Sequence, residues 1–248
     1  MIKKIYNHFN QKNVFDSIVR ANDLKIDYSS NRPSLALIKS IFVDREYADY
    51  FPFYKKAIIV DIGAHKGYFT LFASLNSDKQ STIISIEPVE SNYKLLEQNI
   101  LRQGVENVQV MKAAIAHFDG QLDIHLSQDT NHSLIKNNPL SGETNAIEKV
   151  KAITLDSLVS QFQLGEIDFL KMDCEGAEYD ILFNVSDETL KKIKILSMEF
   201  HDLKSPVNNA QALISYLENK QFRVVKFQYE PSNLGLNYGK LIFQKINP

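Results

Sequence analysis

Two apolar runs in the C-terminal half of the chain end in side chains that can move protons. The run at 167–173 closes on Asp173, while Glu199 and His201 stand at the end of the run at 193–200. Carboxylates and imidazoles are common general bases, and carboxylate oxygens also bind Mg²⁺. We therefore treat Asp173, Glu199 and His201 as catalytic candidates. A further hypothesis places Mg²⁺ between Asp173 and Glu199.

A pair of glycines follows an earlier apolar run at 57–62. The segment VDIGAHKGYFT contains Gly63 and Gly67, with Ala64 and His65 between them. Glycine allows positive φ and close approach of the backbone to a ligand, and ligands of open α/β sheets bind beyond the carboxyl ends of strands. The spacing is G-x-x-x-G, not the G-x-G-x-x-G of the dinucleotide motif, so the second glycine of the tight pyrophosphate turn is missing. The pattern thus predicts a ligand at this turn that is not obviously a dinucleotide.

A carboxylate also marks the end of the next apolar run, at 81–88. Glu87 precedes Pro88 there, and an acid at this place can accept hydrogen bonds from both hydroxyls of a ribose. Asp61, at the end of the first run, is placed either to hold the turn or to face a cationic ligand. Together these residues indicate a positively charged nucleoside without a pyrophosphate, a description that S-adenosylmethionine fits.

Strand-like and helical patterns alternate along most of the chain. The apolar runs are continuous in Ile, Val and Leu, as is typical of strands buried on both faces of a parallel sheet. The alternation predicts a doubly wound α/β sheet. The last two strands are joined by a segment too short for a crossover helix, so we expect an antiparallel hairpin at one sheet edge. The predicted strands are 57–62, 81–88, 107–115, 167–173, 193–200, 222–228 and 239–246, and the main helices are 67–76, 90–104, 176–185 and 208–221.

Two segments stand apart from this pattern. Residues 1–55 show apolar positions that fit helical faces, so we interpret them as a helical N-terminal extension to a sheet domain at 56–248, and as a candidate surface for homo-oligomerisation. Residues 119–150 are polar. We predict a short hairpin and a mobile loop there, with His132 as a further site candidate.

Composition limits the classes of partner. The 248 residues carry a net charge of -2, without the basic excess of a nucleic-acid-binding domain. The single cysteine, Cys174, cannot form an internal disulfide, and zinc-type ligand spacing is absent from the sequence. No segment approaches the ~18 apolar residues of a membrane span. We therefore expect a cytoplasmic protein without nucleic-acid or membrane partners.

The ordered set of motifs resembles the FkbM family of class I S-adenosylmethionine-dependent methyltransferases. The matching segments are VDIGAHKGYFT, SIEPVESNYKLLEQNI, ITLDSL, FLKMDCEGAEYDIL and SMEFH, between about residues 57 and 228. The resemblance implies a Rossmann-like fold and O-methylation of a hydroxyl on a sugar, polyketide or other small molecule. The cofactor residues that follow from the turn, the acid and the resemblance are Asp61, Gly63, Ala64, His65, Gly67, Glu87, Pro88, Ala113 and Ala114, the two alanines bordering the adenine.

Other interpretations remain open at this stage. A nicotinamide oxidoreductase is disfavoured by the missing dinucleotide motif, and a non-catalytic protein with the same fold stays an alternative. An N-methyltransferase is a third, although DCEG stands where the N-methylating motif would be. Asp173, Glu175 and Glu178 could simply stabilise a helix start. Cys174 is expected to be inert packing, and Asp156 is predicted to cap the short helix that follows it.

Overall fold

The structure, a computed structural model, describes residues 2–26, 35–127, 143–202, 205–230 and 237–246. The strands are β1 (Ile58–Ile62), β2 (Thr82–Ile86), β3 (Val108–Met111), β4 (Ala114–Ile115), β5 (Gly120–Ser127), β6 (Glu143–Ile153), β7 (Phe169–Met172), β8 (Ile195–Asp202), β9 (Phe222–Glu230) and β10 (Asn237–Lys245). The helices are α1 (Ile2–Ala21), α2 (Leu35–Phe42), α3 (Tyr68–Asn76), α4 (Glu90–Gln103), α5 (Leu155–Gln161), α6 (Glu178–Asn184), α7 (Asp187–Lys192) and α8 (Ala210–Asn219). Among the helices of these ranges, none is long and apolar enough to cross a membrane.

The central sheet has seven strands in the order β3-β2-β1-β7-β8-β10-β9. From β3 to β8 all neighbours are parallel, and β10 runs antiparallel to both β8 and β9. The predicted mostly parallel sheet with an antiparallel C-terminal hairpin is therefore confirmed. The order reverses between β1 and β7, and crevices for ligands form at such switch points.

The continuous apolar runs arise because both faces of the sheet are covered. Along β1, Ile59 joins the cluster on one face and Val60 joins the cluster on the other. In β7, Phe169 and Leu170 divide in the same way. Successive strand side chains point to opposite faces, so every position in a doubly covered strand favours an apolar residue.

The N-terminal extension packs directly against the sheet domain. Phe15 of α1 and Ile38 of α2 lie in the same hydrophobic cluster as Phe169 of β7. Phe51 makes edge-to-face contacts with the rings of Phe169 and Phe72 at centroid distances of 5.4 and 5.3 Å. The division of the chain after residue 55 and the role of the extension in a homo-oligomer stay predictions.

The predicted strand at 107–115 is wrong as a single element. The backbone N–H of Glu87 donates to the carbonyl of Met111, where β3 ends. The chain then leaves the main sheet, and β4 pairs with β6 in a separate three-stranded sheet of order β4-β6-β5. The predicted hairpin at 119–150 is β5 and β6. The loop predicted between them, with His132, lies outside the described residues.

The prediction that Asp156 caps the following helix is also wrong. Thr154 is the N-cap of α5, and its hydroxyl accepts a hydrogen bond from the backbone N–H of Ser157. Asp156 instead accepts hydrogen bonds from the backbone and hydroxyl of Ser186, at 3.1 and 2.5 Å. Ser186 is the N-cap of α7. The carboxylate therefore joins two helices, because it lies inside the first turn of α5 rather than before it.

Candidate functional site

The carboxyl ends of β1, β2, β7 and β8 meet at one cavity of about 560 Å³. This is the edge of the sheet at which ligands of doubly wound folds bind, and the volume suits a small-molecule site. Asp61 and Gly67 lie outside its lining. The sequence-predicted residues that line it are Gly63, Ala64, His65, Glu87, Pro88, Ala113, Ala114, Asp173, Glu199 and His201.

Close packing explains both glycines of the first turn. Gly63 has φ of +75°, and a Cβ there would stand 1.9 Å from the carbonyl oxygen of Asp173. Gly67 has φ of +82° and is the N-cap of α3, and its Cβ would stand 2.5 Å from a methyl of Leu96. Gly63 thus lets the turn lie against the end of β7. Gly67 faces α4 rather than the cavity, although the sequence placed it with the cofactor residues.

Replacement of Gly63 by alanine is expected to destabilise the protein by about 2–5 kcal/mol, the sum of a left-handed backbone penalty and a steric clash. Gly104 is the matched control because its φ is +71° but nothing lies within 4 Å of its added Cβ. Gly104→Ala should therefore cost only about 1–2 kcal/mol. Urea unfolding of both variants measures the difference, and equal losses would contradict the packing argument.

Glu87 fastens the turn to the end of β2. Its carboxylate accepts hydrogen bonds from the backbone N–H groups of His65 and Val89, at 2.8 and 3.0 Å. Burial raises the pKa of Glu87 to about 7, although these bonds and the amide of Asn92 act in the opposite direction. The described contact of His65 with the acid is made through its backbone. A nearly buried carboxylate with remaining lone pairs therefore faces the cavity beside the turn.

Asp61 supports the turn from the interior of the protein and does not line the cavity. It is fully buried and accepts a 2.7 Å hydrogen bond from the hydroxyl of Thr70. Its other oxygen lies 3.2 Å from the ammonium of Lys171, which donates to the carbonyl of Gly63 at 2.8 Å. Lys171 was not predicted. Its one signal in the sequence is a lysine within the apolar run FLKM.

His201 lies among glutamates from its own strand β8, from the turn after β7 and from α6. Its Nδ1 is 3.3 Å from Glu178, and its Nε2 is 3.5 Å from Glu175 and 3.8 Å from Glu199. Burial opposes the charged imidazolium, but these carboxylates prevail and raise the pKa of His201 to about 10. The ring is consequently protonated near neutral pH. His201 is therefore poorly suited to accept a proton, in contrast to its prediction as a base candidate.

Glu175 and Glu199 are more basic than ordinary carboxylates. Burial, followed by repulsion from Asp173, raises the pKa of each to about 8, despite the opposing effect of His201. Both side chains retain 21% exposure and line the cavity. A general base works best with a pKa near the operating pH, so these two carboxylates are matched to proton acceptance at pH 7–8.

The stability of the protein is expected to fall as the pH rises from about 6.5 to about 10. His201 has a pKa raised from 6.5 to about 10, so its contribution is complete below 6.5 and is lost as the pH rises through 10. Glu175 and Glu199, raised from 4.5 to about 8, change stability in the same direction. We expect a loss of at least about 1.4 kcal/mol, the equivalent of one pKa unit.

Urea titrations at several pH values measure this trend. The stability difference between wild type and His201→Gln should shrink as the pH rises toward 10. Substitution of the half-exposed His117, which pairs with Asp180 at the surface, is the control and should leave the trend unchanged. A flat wild-type profile from pH 6.5 to 10 would contradict the ion-pair network.

Asp173 joins the turn to the N-terminal extension. Its carboxylate lies 3.9 Å from the ammonium of Lys171 and accepts a long, 3.4 Å hydrogen bond from the hydroxyl of Tyr47. Ala177, not Asp173, is the N-cap of α6, so helix capping does not explain the aspartate. Glu178 does serve local structure, because it accepts from the backbone of Cys174 and Gly176.

Comparison with known proteins decides the family. The model of the family described as Methyltransferase FkbM domain matches residues 61–224, more than half of the chain. The chain belongs to the FkbM methyltransferase family. It is therefore a methyltransferase, and dependence on S-adenosylmethionine follows from the family. Membership of this family excludes the alternative of a nicotinamide oxidoreductase.

This FkbM chain is similar to proteins of Beauveria bassiana and Pseudomonas aeruginosa. Methyltransferase 1 of Beauveria bassiana is 30% identical, with coverage of 75% of this chain and 80% of that protein. The AMB antimetabolite synthetase AmbE of Pseudomonas aeruginosa is 22% identical over 75% of this chain, which corresponds to 10% of that protein. Precorrin-6y C5,15-methyltransferase from Geobacter metallireducens shares the fold, with a TM-score of 0.50, 11% identity and coverage of 82% and 88% of the two chains.

Part of the cavity wall comes from outside the FkbM match. Leu37 and Ile41 of α2, together with Glu46 and Tyr47, line the cavity. Glu46 forms an ion pair with Lys240 of β10. The centroid of the Tyr47 ring lies 5.7 Å from the ammonium of Lys171 and 5.3 Å from the ammonium of Lys240. No site residue was predicted in this segment from the sequence.

The side chains around Asp173 and Glu199 do not fit a magnesium site. Within the described ranges, no group of three or more His, Cys, Asp or Glu side chains is arranged to hold a metal ion. Lys171 lies beside Asp173 and His201 beside Glu199, so protein cations already stand next to both carboxylates. The hypothesis of Mg²⁺ between Asp173 and Glu199 is therefore not supported for this FkbM domain.

Cys174 lines the cavity but is not prepared for nucleophilic attack. Burial, followed by the charges of Glu178 and Asp173, raises the pKa of its thiol well above the ordinary value. The thiolate is the nucleophilic form, so the side chain stays a neutral thiol. This agrees with the expectation that Cys174 serves packing.

Proposed function

We propose that this FkbM methyltransferase transfers the methyl group of S-adenosylmethionine to a hydroxyl oxygen of a small molecule, such as a sugar. The observation that carries the proposal is the position of Glu199, a carboxylate with raised basicity, in the same cavity as the Gly63 turn and Glu87. An alcohol must lose its proton when its oxygen is methylated. A basic carboxylate beside the cofactor residues meets that requirement.

The cofactor end of the cavity is built from the turn after β1 and the end of β2. Glu87 is placed to accept hydrogen bonds from the ribose hydroxyls, and the backbone from Gly63 to His65 to surround the ribose and methionine portions. Ala113 and Ala114 border the adenine. Ala114 belongs to a buried apolar cluster with Val89 and Ile124, and all three residues line the cavity. A flat aromatic base matches an apolar slot of this kind.

Methyl transfer requires little covalent help from the protein. The bound cofactor supplies a sulfonium methyl group, which is a good electrophile with a good leaving group. The residues of the chain must align the acceptor and exclude water. Glu199 takes the hydroxyl proton, and the imidazolium of His201 holds the carboxylate by charge at 3.8 Å. Glu199 is fixed on β8, whereas Glu175 stands in the turn after β7, so we assign the base to Glu199.

The acceptor is placed at the wall formed by the N-terminal extension. Leu37 and Ile41 provide apolar surface there, and the carboxylate of Asp173 lies beside the hydroxyl of Tyr47. This wall lies outside residues 61–224, which match the family. A wall outside the family match, beside a cofactor end within it, suits a family that methylates different acceptors. The acceptor itself, the absence of nucleic-acid partners and the cytoplasmic location stay predictions.

Ligand-induced stabilisation followed by product analysis tests the proposal. S-adenosylmethionine or S-adenosylhomocysteine at ~100 times its dissociation constant should add ~2.7 kcal/mol to stability, while NAD adds nothing. Methyl-labelled S-adenosylmethionine is then supplied with a panel of sugars, other alcohols and matched amines. Mass spectrometry and NMR identify the methylated atom. Label found only on nitrogen would overturn the O-methylation proposal and support the N-methyltransferase alternative.

A further inference from the structure

Lys171 is a buried cation on the strand beside the cofactor turn. The residue is 4% exposed and stands at the centre of β7, register partner of Asp61 on β1. Burial alone would lower the pKa of its ammonium, but Asp61 and Asp173 raise it above the ordinary value. A charged lysine in this position is costly unless it is paired and hydrogen-bonded. A functional reason is therefore expected for a charged lysine at this buried position.

The turn after β1 is held from two sides. On the side of β2, the backbone N–H groups of Gly63 and Ala64 both donate to the carbonyl of Ile86 at 3.0 Å, and that of His65 donates to Glu87. On the side of β7, the ammonium of Lys171 donates to the carbonyl of Gly63 at 2.8 Å. The donors of the turn are thus fixed by β2, and its carbonyl edge is fixed by the lysine.

We propose that Lys171 is a positioning residue for the cofactor: its ammonium holds the carbonyl of Gly63 and thereby sets the shape of the turn that receives S-adenosylmethionine. Asp61 balances the charge of the lysine, and Thr70 and Ser85 complete the buried network through hydrogen bonds of 2.7 and 2.9 Å. The proposal extends the proposed function but concerns cofactor binding alone. Its test needs no methyl acceptor.

The single variant Lys171→Met cannot decide the question. It would leave Asp61 buried with an uncompensated charge, which destabilises the whole fold. The pair Asp61→Asn, Lys171→Met removes both charges and keeps similar volumes, so it should regain stability. The pair still lacks a donor for the carbonyl of Gly63. The pair therefore distinguishes an effect of Lys171 on the stability of the fold from its effect on the affinity for the cofactor.

The experiment compares urea unfolding with calorimetric binding of S-adenosylhomocysteine. We expect the methionine pair to be more stable than Lys171→Met and yet to bind S-adenosylhomocysteine about 10- to 100-fold more weakly than wild type, the value of one hydrogen bond to a charged group. Lys194→Met is the control, because Lys194 pairs with Glu166 and Asp168 away from the cavity. Its affinity should equal that of wild type.

A second pair, Asp61→Asn, Lys171→Gln, restores a donor without the charge. If the carbonyl of Gly63 is the target, this glutamine pair binds S-adenosylhomocysteine at least about tenfold more tightly than the methionine pair. Equal affinities of the two pairs, or recovery of affinity in the methionine pair, would overturn the inference. If the methionine pair does not fold, the glutamine pair decides the inference by itself. An affinity for S-adenosylhomocysteine that is tenfold or more below that of wild type overturns the inference, and an affinity near that of wild type supports it. Failure of wild type to bind would instead contradict the proposed function.

Discussion

Replacement of Glu87 by alanine is expected to weaken binding of S-adenosylhomocysteine by at least about 100-fold. A carboxylate at the end of the second strand can accept hydrogen bonds from both ribose hydroxyls. Each hydrogen bond to a charged group contributes about 1.5–3 kcal/mol. The substitution also leaves the backbone N–H groups of His65 and Val89 without the carboxylate to which they donate hydrogen bonds in the wild type. The turn should therefore lose its attachment to β2 together with the ribose contact. Isothermal titration calorimetry measures the loss.

Glu90 provides the matched control for Glu87. It stands in the first turn of α4, partly exposed, with Lys94 and Lys112 as ion-pair partners. Surface pairs of this kind contribute little, so Glu90→Gln should bind S-adenosylhomocysteine within about twofold of wild type. Urea unfolding checks that Glu87→Ala is folded at the assay temperature. Full cofactor affinity in a folded Glu87→Ala protein would remove Glu87 from the cofactor site.

The sheet could be predicted because its strands are buried on both faces. Doubly buried strands require continuous apolar runs, and Gly104 in the left-handed conformation ends α4 where the sequence predicted a helix stop. The break after Met111 could not be predicted, because residues 113–115 are apolar again after the single Lys112, while the backbone moves to another sheet. Apolar burial continues across such a change of sheet, so composition alone does not reveal it.

The site could be predicted only where function follows from position at a strand end. Asp173, Glu199 and Glu87 line the cavity and were predicted as candidates because the carboxyl ends of neighbouring parallel strands meet at one edge. Tyr47 was not, since it contacts Asp173 across 126 positions of sequence. The protonated state of His201 could not be predicted from the sequence either. Its protonation depends on Glu178, which the sequence assigned to a helix start.

The largest effect on turnover is expected from Glu199→Gln. If Glu199 accepts the hydroxyl proton, its replacement by an amide should lower kcat by about 10²–10⁴-fold. The affinity for S-adenosylhomocysteine should change little, because the cofactor contacts lie at Glu87 and the Gly63 turn. The wild-type rate should rise with pH toward about 8, as the carboxylate loses its proton. This limb of the pH profile should be absent in the variant.

Glu175→Gln distinguishes the base from its neighbour. The two glutamates share the raised pKa of about 8, and the charge of Glu175 is one cause of the raised pKa of Glu199. Removal of the charge at Glu175 should therefore lower the pKa of Glu199. The rising limb should then move to lower pH, with kcat at high pH largely retained. Initial rates of methyl transfer from pH 6 to 9 measure both variants. If Glu175→Gln abolishes the limb and Glu199→Gln merely shifts it, Glu175 is the base, because the shift marks the neighbour and the loss marks the group that takes the proton.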